Sequence, residues 1–141
     1  MRRPLAFTLV AEGEVSGVLP GRTSVTARQS AERRILGFIV AEKRRQTGHI
    51  ITIDVIAEAR HAGVGSALLD AAEEKLRQKG AATVELETAV NNESAIRFYK
   101  QKGYFVEKTV RGYYSNQLDA LVMSKALTEM RADVYGAPNR A

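Results

Sequence analysis

The sequence predicts one α/β domain in which helices pack on a single mixed β-sheet. Strands and helices alternate in the middle of the chain, and strand pairs typical of hairpins stand at both ends. The chain has 141 residues, 45% hydrophobic and 26% charged, which is ordinary for one globular domain. We predict this domain over residues 1–127, with 12–34 as a long loop or mobile insert and 128–141 as a C-terminal tail.

Three strands are predicted in the first half of the chain. Residues 5–11 are apolar, and residues 35–44 and 49–56 form a hairpin around the turn-like residues 46–48. The near-continuous apolar run of the third strand predicts burial on both of its faces.

Residues 64–79 carry the clearest helix signal. Their apolar side chains recur at the helical period. Glu73 and Arg77 have the i,i+4 spacing of an ion pair, and Gly80 stands where a C-terminal cap is expected.

A second helix is predicted over residues 92–102, where Asn92 can cap the first turn and Gly103 ends the last. Three further strands complete the order β-(loop)-ββ-α-β-α-β-β. These strands are residues 83–90, 104–110 and 120–127.

Composition excludes several classes of site. The chain has no Cys, which removes disulfides, thiolate metal ligands and a Cys nucleophile. His49 and His61 lack metal-ligand spacing, and no apolar run approaches the roughly 20 residues of a membrane span. The net charge of +5 comes from scattered basic residues, without a nucleic-acid-binding signature. We expect a cytoplasmic protein with no metal, membrane or nucleic-acid partner.

Residues 60–66, Arg-His-Ala-Gly-Val-Gly-Ser, follow an apolar strand and open the first helix. The first turn of a helix has free backbone N–H groups, and its dipole favours an anion. Gly63 and Gly65 would let a phosphate approach the backbone, although two glycines also suit an ordinary turn. The third Gly of the dinucleotide fingerprint and the Lys of a P-loop are both missing. A phosphorylated cofactor of another kind is indicated.

A second motif, Asn-Glu-Ser-Ala-Ile-Arg-Phe-Tyr-Lys-Gln-Lys-Gly-Tyr, fills residues 92–104. Together the two motifs resemble those of the GNAT superfamily of acetyl-CoA-dependent N-acetyltransferases, over about residues 35–127. The matching positions of the first motif are Arg60, Gly63 and Gly65. The resemblance implies a GNAT-like mixed sheet flanked by helices.

Within the superfamily the chain is most similar to the protein N-terminal (Nα) acetyltransferases, including the ribosomal-protein-alanine type. The similarity lies in Leu86-Glu87, in Phe98-Tyr99 and in the loop at residues 112–115. It implies acetyl-CoA as cosubstrate and a protein or peptide N-terminus, such as that of a ribosomal protein, as acceptor. Another small or lysine amine, and a non-catalytic acyl-CoA-binding module, remain alternatives.

The resemblance also implies roles for individual residues. The implied cofactor-binding set is the backbone of Ile53, Asp54 and Val55 for the pantetheine arm, the backbone of His61, Ala62, Gly63, Val64, Gly65 and Ser66 for the pyrophosphate, and the side chains of Asn92 and Tyr99. Glu87 would be the general base, Tyr99 the general acid near the thioester sulfur, and Tyr113 and Tyr114 substrate contacts.

Elementary chemistry agrees with these roles. A protonated amine cannot attack a thioester, so a group such as Glu87 must take its proton. Without Cys, no acyl-cysteine intermediate can form, which favours direct transfer. Each residue also has a structural interpretation: Glu87 as a solvent-facing strand residue, Tyr99 as a core aromatic, Asn92 as a helix cap, and Tyr113 and Tyr114 as hairpin aromatics.

The chain departs from the family pattern at its N-terminal end. The family has a strand and two helices before its second strand, and few residues precede the first apolar strand here. We expect most of this block to be missing, and either residues 12–34 or a second subunit, as in a homodimer, to supply the lost wall of the amine groove.

Overall fold

The computed structural model describes residues 5–14, 33–115 and 117–127. They form one six-stranded sheet of order β1-β2-β3-β4-β6-β5. The strands are β1 Leu5–Glu14, β2 Arg33–Arg44, β3 Thr47–Val55, β4 Thr83–Ala89, β5 Phe105–Val110 and β6 Ala120–Ala126. The helices are α1 Val64–Gln78 and α2 Glu93–Gln101, and a short 3-10 turn covers Ala57–Ala59.

Both helices pack on the same face of the sheet. Their buried side chains share one cluster with the strands. This cluster includes Ile39, Leu68, Leu69, Leu76, Val84, Leu86, Tyr99 and Met123. Side chains alternate between the two faces of a strand, so in β4 the buried Val84 and Leu86 face the helices, and Glu85 and Glu87 lie on the opposite face.

The parallel strands β3 and β4 separate soon after they begin. They pair at only three positions, the last of which joins His49 to Glu85. β3 then continues to Val55 and β4 to Ala89 without pairing to each other. A bulge in β3 contributes to the divergence, because Ile51 is an extra residue opposite β2 and bulges bend the strand that carries them. The space between the diverging strands, called here the β3–β4 gap, deprives their backbone N–H and C=O groups of the interstrand hydrogen bonds that a regular sheet would provide.

Two sequence predictions about the strands are wrong. The predicted 12–34 loop is too long at both ends, because β1 continues to Glu14 and β2 begins at Arg33. β3 is not buried on both faces: Ile50 is buried, whereas Ile51 is 50% exposed and Asp54 is exposed, since both described helices cover only one face. The predictions for residues 15–32 and for the tail from residue 128 lie outside the described residues.

A third wrong prediction concerns Glu73, which does not pair with Arg77. The Glu73 side chain is buried, accepts a hydrogen bond from the Tyr104 hydroxyl at 2.6 Å, and pairs with the Lys125 ammonium at 2.7 Å. Arg77 instead pairs with the exposed Glu74. Burial, and then the hydrogen bond to Glu73, raise the pKa of Tyr104. This network ties α1 to β6 and to the turn before β5.

Removing the cation of this network is expected to destabilise the fold. We expect Lys125→Met to lower the free energy of unfolding by about 2–3 kcal/mol, because it leaves the Glu73 carboxylate buried without its counter-charge. This is less than the full cost of breaking a buried pair, since 26% of the Lys125 side chain is exposed. Urea unfolding measures the change, with Lys108→Met on the exposed strand β5 as the control. A loss equal to that of the control would contradict the role given to Lys125.

Candidate active site

Residues 60–66, predicted from the sequence to bind a phosphate and called here the phosphate cradle, lead into α1. Gly63 is the N-cap residue, with a φ of 87°, and its own carbonyl accepts the first helical hydrogen bond, from Ala67. The preceding N–H groups of the first turn therefore have no partner within the helix. No acidic residue stands in this turn. The left-handed φ, rather than lack of space, favours glycine at position 63, since a Cβ there would meet nothing within 4 Å. These features fit a phosphate ligand.

The strand before the cradle presents selected backbone groups to the β3–β4 gap. The Ile56 N–H donates to the Leu36 carbonyl at 2.9 Å. Because the backbone groups of alternate residues point to opposite sides of an antiparallel strand, Asp54 faces β2, and Ile53 and Val55 face the gap. The Val55 carbonyl already accepts from the Arg60 Nε at 3.0 Å. Of the three predicted pantetheine-binding residues, Ile53 and Val55 remain candidates and Asp54 does not.

Glu87 lies beside this gap and is paired with His49, which belongs to neither sequence motif. The His49 Nε2–H donates to Glu87 Oε1 at 2.7 Å, and the His49 Nδ1 atom lies 3.8 Å from Glu42 Oε2. Only 19% of the Glu87 side chain is exposed. The three residues form a line across β2, β3 and β4 on the face opposite the two helices. The His49 imidazole hydrogen-bonds to Oε1 of Glu87, so Oε2 can still accept a proton.

Two tyrosines, Tyr113 and Tyr114, adjoin Glu87, and a third, Tyr99, adjoins Tyr114. The rings of Tyr113 and Tyr114 meet edge to face, with centroids 4.8 Å apart. Burial, and then the charge of Glu87, raise the pKa of Tyr113. Burial, and then the neighbouring Tyr113 and Glu87, raise the pKa of Tyr114. Glu87, Tyr113 and Tyr114 thus form one group of side chains, which Tyr99 joins through Tyr114.

Tyr99 lies in the core next to Tyr114. The residue is 8% exposed, and its ring packs edge to face on Phe98 and Tyr104. Burial, and then the neighbouring Tyr114, raise the pKa of Tyr99 above its ordinary value. The phenol therefore remains protonated, and can donate a proton, throughout the neutral and mildly alkaline range.

Asn92 caps α2 as predicted, because its side-chain oxygen accepts from the Ala95 N–H at 3.2 Å. This leaves its amide N–H groups for another acceptor, and its role toward a cofactor stays a prediction. Within residues 5–14, 33–115 and 117–127, no group of three or more His, Asp or Glu side chains could hold a metal ion. No helix in the same described segments has the length and hydropathy needed to cross a membrane.

Comparison with known proteins identifies the family. The Acetyltransferase (GNAT) family profile matches residues 9–104. The chain belongs to the GNAT acetyltransferase family. The predicted resemblance is confirmed, and so is the mixed sheet flanked by helices that it implied.

Individual GNAT relatives add detail. An N-alpha-acetyltransferase of Sulfurisphaera tokodaii is 37% identical over 81 residues, which are 57% of this chain and 48% of that protein. The structure of Ard1 from Thermoplasma volcanium matches with a TM-score of 0.63 and 36% identity, over 65% of this chain and 63% of that one. A Bacillus anthracis protein assigned as a streptothricin acetyltransferase, solved with acetyl coenzyme A, matches with a TM-score of 0.62 and 27% identity, over 66% and 56%. The chain thus spans about half to two-thirds of these relatives.

Proposed function

We propose that this chain transfers an acetyl group from acetyl-CoA to a primary amine, specifically the α-amino group of a protein or peptide N-terminus. The observation that carries the proposal is the Glu87 carboxylate, held by His49 beside the β3–β4 gap and next to Tyr113 and Tyr114. This arrangement supports a role for Glu87 as proton acceptor beside a strand edge that could bind an extended ligand. Membership of the GNAT family supports the acetyl donor.

The residues that would hold acetyl-CoA follow from the free backbone groups. The N–H groups in the first turn of α1, from Val64 to Ser66, suit its phosphates. The gap-facing backbone of Ile53 and the Val55 N–H suit the amides of its pantetheine arm, by the pairing that an added strand would make. The bound thioester would supply the activated acetyl group.

Glu87 would act first, as general base. A free α-amino group has a pKa of about 7.7–8.0, so a useful fraction is neutral near pH 7, and the base is needed mainly for the proton that the nitrogen loses as it attacks the thioester. The second carboxylate oxygen would take the proton directly or through a water. His49 would keep the carboxylate in one orientation, so that the proton acceptor points at the amine.

Tyr99 would act second, as the donor of a proton to the departing thiolate. Its raised pKa keeps the phenol protonated until the sulfur leaves. Tyr113 and Tyr114 would contact the acceptor, and their aromatic rings suit the apolar and backbone parts of a peptide. Direct transfer between two bound substrates would derive most of its rate from this positioning.

The acceptor is the part of the proposal that rests on relatives. The Sulfurisphaera tokodaii relative, named an N-alpha-acetyltransferase, supports an Nα-amine. We extend this to a cytoplasmic protein that acts on polypeptide N-termini, with a ribosomal protein as one such substrate. The match to an assigned streptothricin acetyltransferase favours a small-molecule amine as the second candidate. A homodimer that completes the acceptor groove remains part of the proposal.

A turnover assay tests the proposal. Release of free CoA from acetyl-CoA is measured with three acceptors: peptides with a free N-terminus, a Lys-bearing peptide blocked at its N-terminus, and a polyamine. We expect turnover with the free N-termini alone. Turnover only with a lysine or polyamine amine would reject the Nα acceptor and keep the acetyl transfer. CoA binding without turnover with any acceptor would reject the enzyme in favour of a binding module.

A further inference from the structure

Lys102 connects the end of α2 to the beginning of α1. It is the C-cap residue of α2, and its ammonium donates to the Ser66 hydroxyl oxygen at 2.7 Å and pairs with Asp70 Oδ1 at 2.8 Å. The side chain is 19% exposed, whereas that of Asp70 is 60% exposed. Lys102 is therefore packed into the protein, and its charge is neutralised from one side by a solvated carboxylate.

The contact with Ser66 has a consequence for the phosphate cradle. Ser66 is the third residue of α1, and helical Cβ atoms tilt toward the N-terminus, which brings its hydroxyl toward the free N–H groups. Because the Ser66 oxygen accepts from Lys102, the hydroxyl hydrogen must point away from the ammonium. It can then donate to an anion bound at the first turn.

The charge of Lys102 acts in the same direction. α1 has no acidic residue in its first turn, and its dipole already favours an anion there. A partly buried ammonium one contact away adds to this potential with less screening than an exposed lysine would have. Asp70, in the second turn, opposes the effect.

We propose that Lys102 is a positioning residue for the phosphates of coenzyme A, acting through the Ser66 hydroxyl and through its own charge. The inference rests on the proposed function only for the identity of the ligand. Asp70 then has the opposite effect on phosphate binding, because its negative charge offsets the positive charge of Lys102 that attracts the phosphates.

Two substitutions that break the same ion pair separate this proposal from a purely structural role. Lys102→Met removes the cation, and Asp70→Asn removes the carboxylate but leaves the cation against Ser66. A structural role requires both to weaken coenzyme A binding by similar factors. We expect Lys102→Met to raise the Kd by about 5–10-fold, the usual scale for one charge-assisted contact that is partly exposed. We expect Asp70→Asn to lower the Kd by about 2-fold.

Calorimetric titration with CoA measures both changes without requiring turnover. Lys100→Met is the matched control, because it makes the same charge change at an exposed position of the same helix. It should change the Kd by less than about 2-fold, as expected for an exposed charge in physiological salt. Pantetheine, which lacks the phosphates, should bind equally to all four proteins.

The outcomes distinguish failure of the role given to Lys102 from failure of the proposed acetyltransferase function. Equal weakening by Lys102→Met and Asp70→Asn, or an effect that persists with pantetheine, would overturn the role of Lys102. A wild-type chain that does not bind CoA would overturn the assigned ligand. If CoA binds with the expected pattern and no amine is acetylated, the positioning role stands and the catalytic proposal fails.

Discussion

Replacing Glu87 with Gln is expected to lower kcat for peptide acetylation by about 100-fold, the lower end of what a positioned general base contributes. Gln keeps the size of the side chain and can still accept the His49 hydrogen bond through its amide oxygen, but it cannot take a proton from the amine. CoA binding should be unchanged, because Glu87 lies outside the cradle at the start of α1. The defect should shrink as the pH rises above about 8, because a larger fraction of the α-amine is then neutral.

Glu85→Gln is the matched control for this substitution. Glu85 lies two residues earlier in β4, on the same face and with similar exposure. It makes the same charge change and should alter kcat by less than about 3-fold, as expected for a group that makes no contact with the reacting atoms. If the two variants lost activity equally, the general negative potential of this face, and not proton transfer by Glu87, would explain the result.

Tyr99→Phe should give the second large effect, a fall in kcat of about 10–100-fold. Phe fills the same buried space, so the packing on Phe98 and Tyr104 is retained and only the hydroxyl is lost. The expected fall is smaller than for Glu87, because a thiolate leaves more readily than a stronger base would. In the wild-type protein the raised pKa of Tyr99 should keep the rate from falling until the pH exceeds about 10, the ordinary phenol value.

Tyr104→Phe separates chemistry from packing in this test. It also removes a hydroxyl from a buried tyrosine, but here the lost hydrogen bond is to Glu73. We expect it to reduce stability in urea and to leave kcat within about 3-fold of wild type, as expected for a group that makes no contact with the reacting atoms. A Tyr99→Phe enzyme with wild-type kcat would remove Tyr99 from the proposed mechanism.

The elements of the fold could be predicted because their signals are local. The helical period and the capping residues placed α1 and α2 to within a residue or two, with Asn92 as the cap of α2. The β3 prediction failed because burial of an apolar strand depends on what covers each face, which the strand itself does not encode. In the described part of the sheet, the face that carries Ile51 has no helix on it.

Residues of the candidate site that belong to a sequence motif could be predicted. Residues that reach the site through a contact between distant parts of the chain could not. Motif resemblance located the cradle, Glu87 and Tyr99, but it did not select His49 or assign a role to Lys102. His49 lies 38 residues from Glu87, and Lys102 lies 36 residues from Ser66. One available signal was overlooked: a strand–helix–strand unit places its two strands side by side. Parallel pairing of β3 with β4 makes His49 and Glu87 neighbours on one face.

The β3–β4 gap makes the sheet two three-stranded halves joined by only three residue pairs. A ligand that spans the gap would supply the interstrand hydrogen bonds missing between β3 and β4. Binding of that ligand and the cooperativity of unfolding of the sheet would then be thermodynamically linked. The proposed acetyl donor would pair with the sheet as an additional strand. Its binding would join the two halves, and release of the product CoA would separate them again. Exchange of the proposed donor and the cooperativity of the whole sheet would thus depend on the same few backbone groups of β3.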